Sequence, residues 1–193
     1  MESLKFFFRV VDGIYGVYLD SVHGFVLNQR EATQMQKYSL VELERDNPNE
    51  ANLEYLDSLP IFFSKIDPTD PQAVIQHQCT QKQYKERNDK NGFNHKIIGR
   101  MCVVNIYQYW EAFFREVIAR EFKIKRGDFK DPVMGDLRII RNSIIHHAGI
   151  ALPEIKDCQV FKWFSKGDEI IIDDDKMEEI VRKIKSLDKR IFA

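Results

Sequence analysis

Residues 96–123 read KIIGRMCVVNIYQYWEAFFREVIAREFK. Within this stretch Ile97, Met101, Val104, Ile106, Tyr107, Trp110, Phe113, Phe114, Val117 and Ile118 fall at three- and four-residue steps. That spacing predicts a helix with a wide apolar face. Lys123, Lys125 and Arg126 suit the negative end of its dipole, and Gly127 suits its stop. After Pro132 a shorter helix is expected over about Val133–His147, with Leu137, Ile140, Ile144 and Ile145 turned inward and Gly149 as the stop. Upstream, Ser3 to about Arg45 lacks proline and repeats apolar residues at helical spacing, predicting a long amphipathic helix, broken at most once. Gly13, Gly16 and Gly24 each weaken it by roughly 1 kcal/mol relative to alanine. They suit either close helix approach, for example across a dimer, or a local break.

Between these helices, residues 46–94 are punctuated by Pro48, Pro60, Pro68 and Pro71, with a turn signal at 88–92. This stretch reads as an irregular connector holding one polar helix over Ala73–Arg87. At the other end the period changes. Cys158–Phe164 and Glu169–Ile172 are β-rich runs joined by Ser165-Lys166-Gly167-Asp168, which predicts a small hairpin. Asp173-Asp174-Asp175 then precedes an amphipathic last helix carrying Met177, Ile180, Val181, Ile184 and Leu187. Those acids, with Glu178 and Glu179, read as an N-cap and first turn more readily than as a cation site. The expected architecture is mainly α: a helical bundle with a long N-terminal helix and a small C-terminal β-hairpin. It is read as a single domain over 1–193, with 1–95 as helix and connector and 96–193 as the motif-bearing part.

Composition narrows the function. The 193 residues are 44% apolar and 31% charged, enough to bury a core beneath a solvated surface. A net charge of −1 creates no global field for nucleic acid, so any RNA contact rests on a local patch. Lys123, Lys125, Arg126, Lys130 and Arg138 are the candidates for that patch. The three cysteines, Cys79, Cys102 and Cys158, are odd in number and far apart, which suggests reduced thiols, a cytoplasmic setting, no zinc site and no other metal. The apolar run Phe6–Leu27 is interrupted by Arg9, Asp12, Asp20 and His23, and the start lacks a signal-peptide pattern, so neither membrane span nor secretion is expected.

The chemistry concentrates at Ile140-Arg141-Asn142-Ser143-Ile144-Ile145-His146-His147-Ala148-Gly149. On a regular helix Asn142 and His146 lie about 40° apart around the axis, while Arg141 lies about 140° from His146 and must reach round. Imidazole exchanges protons near neutrality, guanidinium binds two phosphate oxygens, and an amide orients either partner. Together they supply what phosphodiester cleavage needs without a metal. His147 also satisfies a looser spacing from Arg141. Glu111 is a candidate to hold Arg141 in place.

This string resembles the RNxxxH form of the RX4–6H motif of HEPN domains. The preceding Tyr107–Arg115 stretch is similar to the aromatic-acidic helix that precedes the motif in many of them. The resemblance covers about Lys96–Gly149. It implies an RNA-cleaving HEPN fold without cofactor, acting as a toxin, in defence against phage, or in RNA processing. Arg141 would hold the scissile phosphate, Asn142 would position the site, and His146 would transfer protons, with His147 and Glu111 supporting. It further implies a homodimer with a composite site and, in toxin systems, an antitoxin or other protein partner. The tyrosine that often follows the histidine by two residues in HEPN toxins is Ala148 here. The alternative is a non-catalytic module of the same fold that binds RNA, a nucleotide or a protein.

Overall fold

A computed structural model describes residues 2–46 and 51–188, and it is mainly helical. The chain forms two compact units. One comprises the chain up to Ser21 and from Lys96 onward, the other Val22–His95. Helix α1, Glu2–Asp46, runs unbroken and contributes to both. Its three expected weak points do not interrupt it, and none marks a close approach within the chain, since a side chain at Gly13, Gly16 or Gly24 would meet no neighbour. No helix among the described residues is long and apolar enough to cross a membrane.

In the first unit Leu4, Phe7, Val11 and Tyr18 of α1 are buried, the period-3.6 face the sequence predicts. Phe7 packs 5.4 Å from Trp110 and 5.0 Å from Phe114, ring centre to ring centre. Those two rings belong to the long predicted helix, which is not one regular helix. It comprises α4 (Phe93–Tyr109), a π-helical turn (Trp110–Phe114) and α5 (Arg115–Glu121). Helix α6, Pro132–His146, starts as predicted: Asp131 accepts from the Met134 N–H and Pro132 occupies the first turn. A 3₁₀ turn, Pro153–Asp157, follows it. Past α6 the chain leads to the last helix, which begins where its acids indicate, Asp173 capping the Lys176 N–H. Its Met177, Ile180, Val181 and Ile184 are buried.

The predicted C-terminal hairpin does not form. The turn itself is present, with the Ser165 N–H on the Asp168 carboxylate and the Asp168 N–H on the Ser165 carbonyl. Its arms take other partners. The N–H groups of Gln159, Val160 and Phe161 all donate to the buried Asp136 carboxylate, so the first arm has no ladder to offer. The second arm bonds instead to residues 149–151, through Ile170 N–H to Gly149 and Ala151 N–H to Asp168. A single antiparallel bridge, Ile150 to Glu169, is all that results.

In the second unit lie a short helix α2 (Leu53–Ser58), strands β1 (Pro60–Phe63) and β2 (His77–Thr80), and α3 (Gln81–Asn88). The strands pair antiparallel with Ile61 opposite Cys79 and Phe63 opposite His77. The stretch expected to be irregular thus holds the two-stranded sheet. Pro60 is tolerated because it opens its strand. The helix expected from Ala73 starts only at Gln81, after a capping box between Thr80 and Gln83.

Candidate active site

Helix α6 buries Val133, Leu137, Ile140 and Ser143. Arg138, Asn142 and His146, four residues apart, share its other side and line one groove of about 360 Å³. Leu152, Glu154 and Asp157, from the chain after α6, also line this groove. Of the residues singled out in the motif, Asn142 and His146 are therefore brought together. His147 is not among the groove-lining residues. It caps the helix end, its N–H on the Ser143 carbonyl, so the two neighbouring imidazoles are no longer equivalent.

Arg141 takes a different place from the one expected. Its Nη1 donates to Asn142 Oδ1 at 3.1 Å, its Nε is buried with no hydrogen-bond partner, and it does not line the groove. The helix decides this: a side chain about 100° from Asn142 reaches the amide but not the far side of it. Asn142, with Oδ1 engaged, has its N–H₂ group to offer a ligand. Glu111 does not hold Arg141 either. Its carboxylate pairs with Arg115 at 3.0 Å and Arg126 at 2.8 Å, while Glu116 pairs with Arg120. The guanidinium in the groove is that of Arg138, which makes no ion pair among the described residues. The spacing Arg138-Asn142-His146 is the signal that points to it.

A larger cavity of about 550 Å³ shares Arg138, Ile139 and Asp157 with this groove. Tyr107, Trp110 and Phe129 contribute nearly buried rings to it, and Glu111, Arg115, Lys130, Asp131 and Asp136 are its other charged side chains. The Tyr107 phenol is pushed up, first by burial and then by the Glu111 charge, against Arg138, Arg115 and Arg141. Of the basic patch read from sequence, Lys130 and Arg138 meet here. Arg126 is tied to Glu111, and Lys123 and Lys125 lie elsewhere on the exposed surface.

Compared with family models, curated proteins and solved structures, this chain matches none. The groove's own chemistry therefore carries the functional reading. A thiol nucleophile is a poor fit to it: burial pushes Cys102 up to about 11, and burial with Asp136 and Asp157 pushes Cys158 up to about 12. Among the described residues, no three His, Cys, Asp or Glu side chains gather as a metal site.

Two contacts fix the chain that follows α6. Ser143 Oγ accepts the Leu152 N–H at 3.1 Å, fastening the groove's Leu152 to α6. Gly149, at φ +85°, lies against the Arg100 guanidinium, and a Cβ there would come within 2.4 Å of it. Arg100 cannot retreat cheaply, because it donates to the Ile170 carbonyl and to Glu169, both at 2.8 Å. Gly149→Ala is therefore expected to cost about 2–5 kcal/mol, from backbone strain plus overpacking. Gly167 has a similar φ of +92° but open space around it. Its alanine variant should lose distinctly less in thermal denaturation followed by circular dichroism. Equal losses would show that the Arg100 contact contributes nothing.

Proposed function

We propose that this chain is a metal-independent endoribonuclease of HEPN type, serving as a toxin or in defence against phage, with its site in the groove beside α6. The observation that carries this reading is the convergence of Arg138, Asn142 and His146 on one groove. In the reaction the ribose 2′-oxygen forms a bond to phosphorus and the bond to the 5′-oxygen breaks, leaving a 2′,3′-cyclic phosphate. The His146 imidazole takes the 2′-hydroxyl proton. The 5′-oxygen receives a proton from the same residue of a second copy, in a site completed by dimerisation. Arg138 neutralises the charge gathering on the phosphoryl oxygens, a role the motif alone assigned to Arg141. Arg141, bonded to Asn142, orients the amide.

Incubation of the purified protein with a mixture of structured and unstructured RNAs in EDTA tests this reading. Cleavage with cyclic phosphate ends is the expected result. Intact RNA across the whole set defeats the nuclease assignment.

A second reading, a non-catalytic module that binds RNA, a nucleotide or a protein, is favoured by one observation. Arg141 is drawn onto Asn142 while the carboxylates of Glu154 and Asp157 line the same groove. That reading requires binding without turnover, indifferent to the loss of the His146 imidazole.

A further inference from the structure

The groove beside α6 has two unlike walls, and only one of them takes part in the chemistry above. Arg138, Asn142 and His146 supply the first, Glu154 and Asp157 the second. The second wall is a consequence of the 3₁₀ turn Pro153–Asp157. Side chains three residues apart eclipse on a 3₁₀ helix, so Glu154 and Asp157 leave it in the same direction. Lys156, a third of a turn from Asp157, leaves in another. The turn is firmly seated. Pro153 fixes its first backbone angle and Ile155 is buried. The Ile155 and Cys158 N–H groups close onto the Leu152 and Ile155 carbonyls, and the Leu152 N–H is fastened to Ser143 Oγ. Both carboxylates are exposed and neither makes an ion pair among the described residues, so their charges act on whatever enters.

One guanidinium against two carboxylates leaves the groove one negative charge in excess while His146 is neutral. A phosphodiester brings a single charge, which a guanidinium matches with two hydrogen bonds. A second negative charge on the same phosphate meets two carboxylates and only one cation. With water-like screening over about 7 Å, each unit charge changes occupancy about threefold, so the two carboxylates together oppose the extra charge about tenfold and Arg138 recovers about threefold. Cleavage itself is not opposed in this way. The proton leaving the 2′-hydroxyl goes to His146, so the total charge inside the groove stays constant.

We propose that Glu154 and Asp157 are specificity-determining residues, a charge filter that admits singly charged phosphodiesters and turns away doubly charged terminal phosphates and nucleoside polyphosphates. This rests on the ribonuclease reading for its substrate. It adds that the bonds cut lie inside the RNA chain, with a phosphorylated chain end excluded from the groove.

2′-Deoxyadenosine 3′-monophosphate and its methyl ester test the filter apart from any cleavage, since neither has a 2′-hydroxyl. At pH 8 the monophosphate carries two charges, its second pKa being about 6, and the ester carries one. In calorimetric titration at low salt the wild type should bind the ester about threefold more tightly, against the ordinary preference of a guanidinium for the more charged anion. Glu154→Gln combined with Asp157→Asn should reverse the order, moving the affinity ratio about tenfold. Both positions are exposed, so this variant should melt with the wild type. The wild type alone gives a second check: its preference should vanish in 1 M salt, where the screening length is about 3 Å. Asp20→Asn with Glu44→Gln, exposed on α1, makes the same change in net charge and should keep the wild-type order. A wild-type preference for the monophosphate, no binding of either compound, or a ratio unmoved in the double variant overturns the filter. RNA cleavage by a protein without the ester preference sinks the filter and spares the nuclease. A clear preference in a protein that cuts no RNA does the opposite.

Discussion

His146→Ala is expected to slow RNA cleavage by about 10²–10⁴-fold, the usual contribution of a positioned proton-transfer group. His146 is exposed and its side chain is no part of the core, so the variant should melt at the wild-type temperature. Its affinity for a non-cleavable RNA should change little, because Arg138 and Asn142 still line the groove. The neighbouring imidazole is the internal control. His147 has the same residue type, one position along, but does not line the groove. His147→Ala should therefore leave the rate within a few-fold of wild type. Comparable losses from both variants would remove the geometric ground for choosing His146, and full activity in His146→Ala would remove the acid–base mechanism itself.

Asp136→Ala is expected to be the most destabilising single change near the site, by about 3–5 kcal/mol. The side chain is almost fully buried and accepts from Gln159, Val160 and Phe161 at 2.9, 2.7 and 2.8 Å. Alanine leaves those donors without the carboxylate, the Phe161 N–H buried and the other two partly so, and each buried orphan costs about 1–3 kcal/mol. Asp136→Asn should recover little, because its amide keeps one acceptor oxygen and turns an N–H₂ group toward the remaining donors. The measurement is urea denaturation, where the midpoint should fall with the slope unchanged. A loss below about 1 kcal/mol would mean that these N–H groups find water or other partners without the carboxylate.

Several parts of this protein were legible because they are written locally. The apolar period survives in part, in buried Leu4, Phe7, Val11 and Tyr18 of α1 and in Leu137 and Ile140 of α6, while Ile145, expected to turn inward, is exposed; the Asp131-Pro132 and Asp173 starts are caps that need only three residues to act. The sheet in the second unit was missed for a non-local reason. Ile61-Phe62-Phe63 and His77-Gln78-Cys79 are short, lie either side of a proline-rich loop, and become strands by pairing with each other. The π turn at Trp110–Phe114 is likewise invisible in a stretch whose apolar spacing reads as ordinary helix.

At the site the division is sharper. Sequence by itself determined that Asn142 and His146 share one face of a helix, since side-chain direction along a helix follows from its pitch alone; Arg138, one turn earlier on that face, was read only as part of a basic patch. Only the tertiary structure decided which guanidinium enters the groove, that Glu111 belongs to Arg115 and Arg126, and that residues 159–161 serve Asp136 instead of a β-ladder. Helical periodicity repeats within a few residues and so leaves its mark on the chain. A hydrogen-bond donor, by contrast, goes to whichever acceptor the folded backbone brings within reach. For Asp136 those donors lie 23 to 25 residues away, a separation at which composition and spacing carry no directional information.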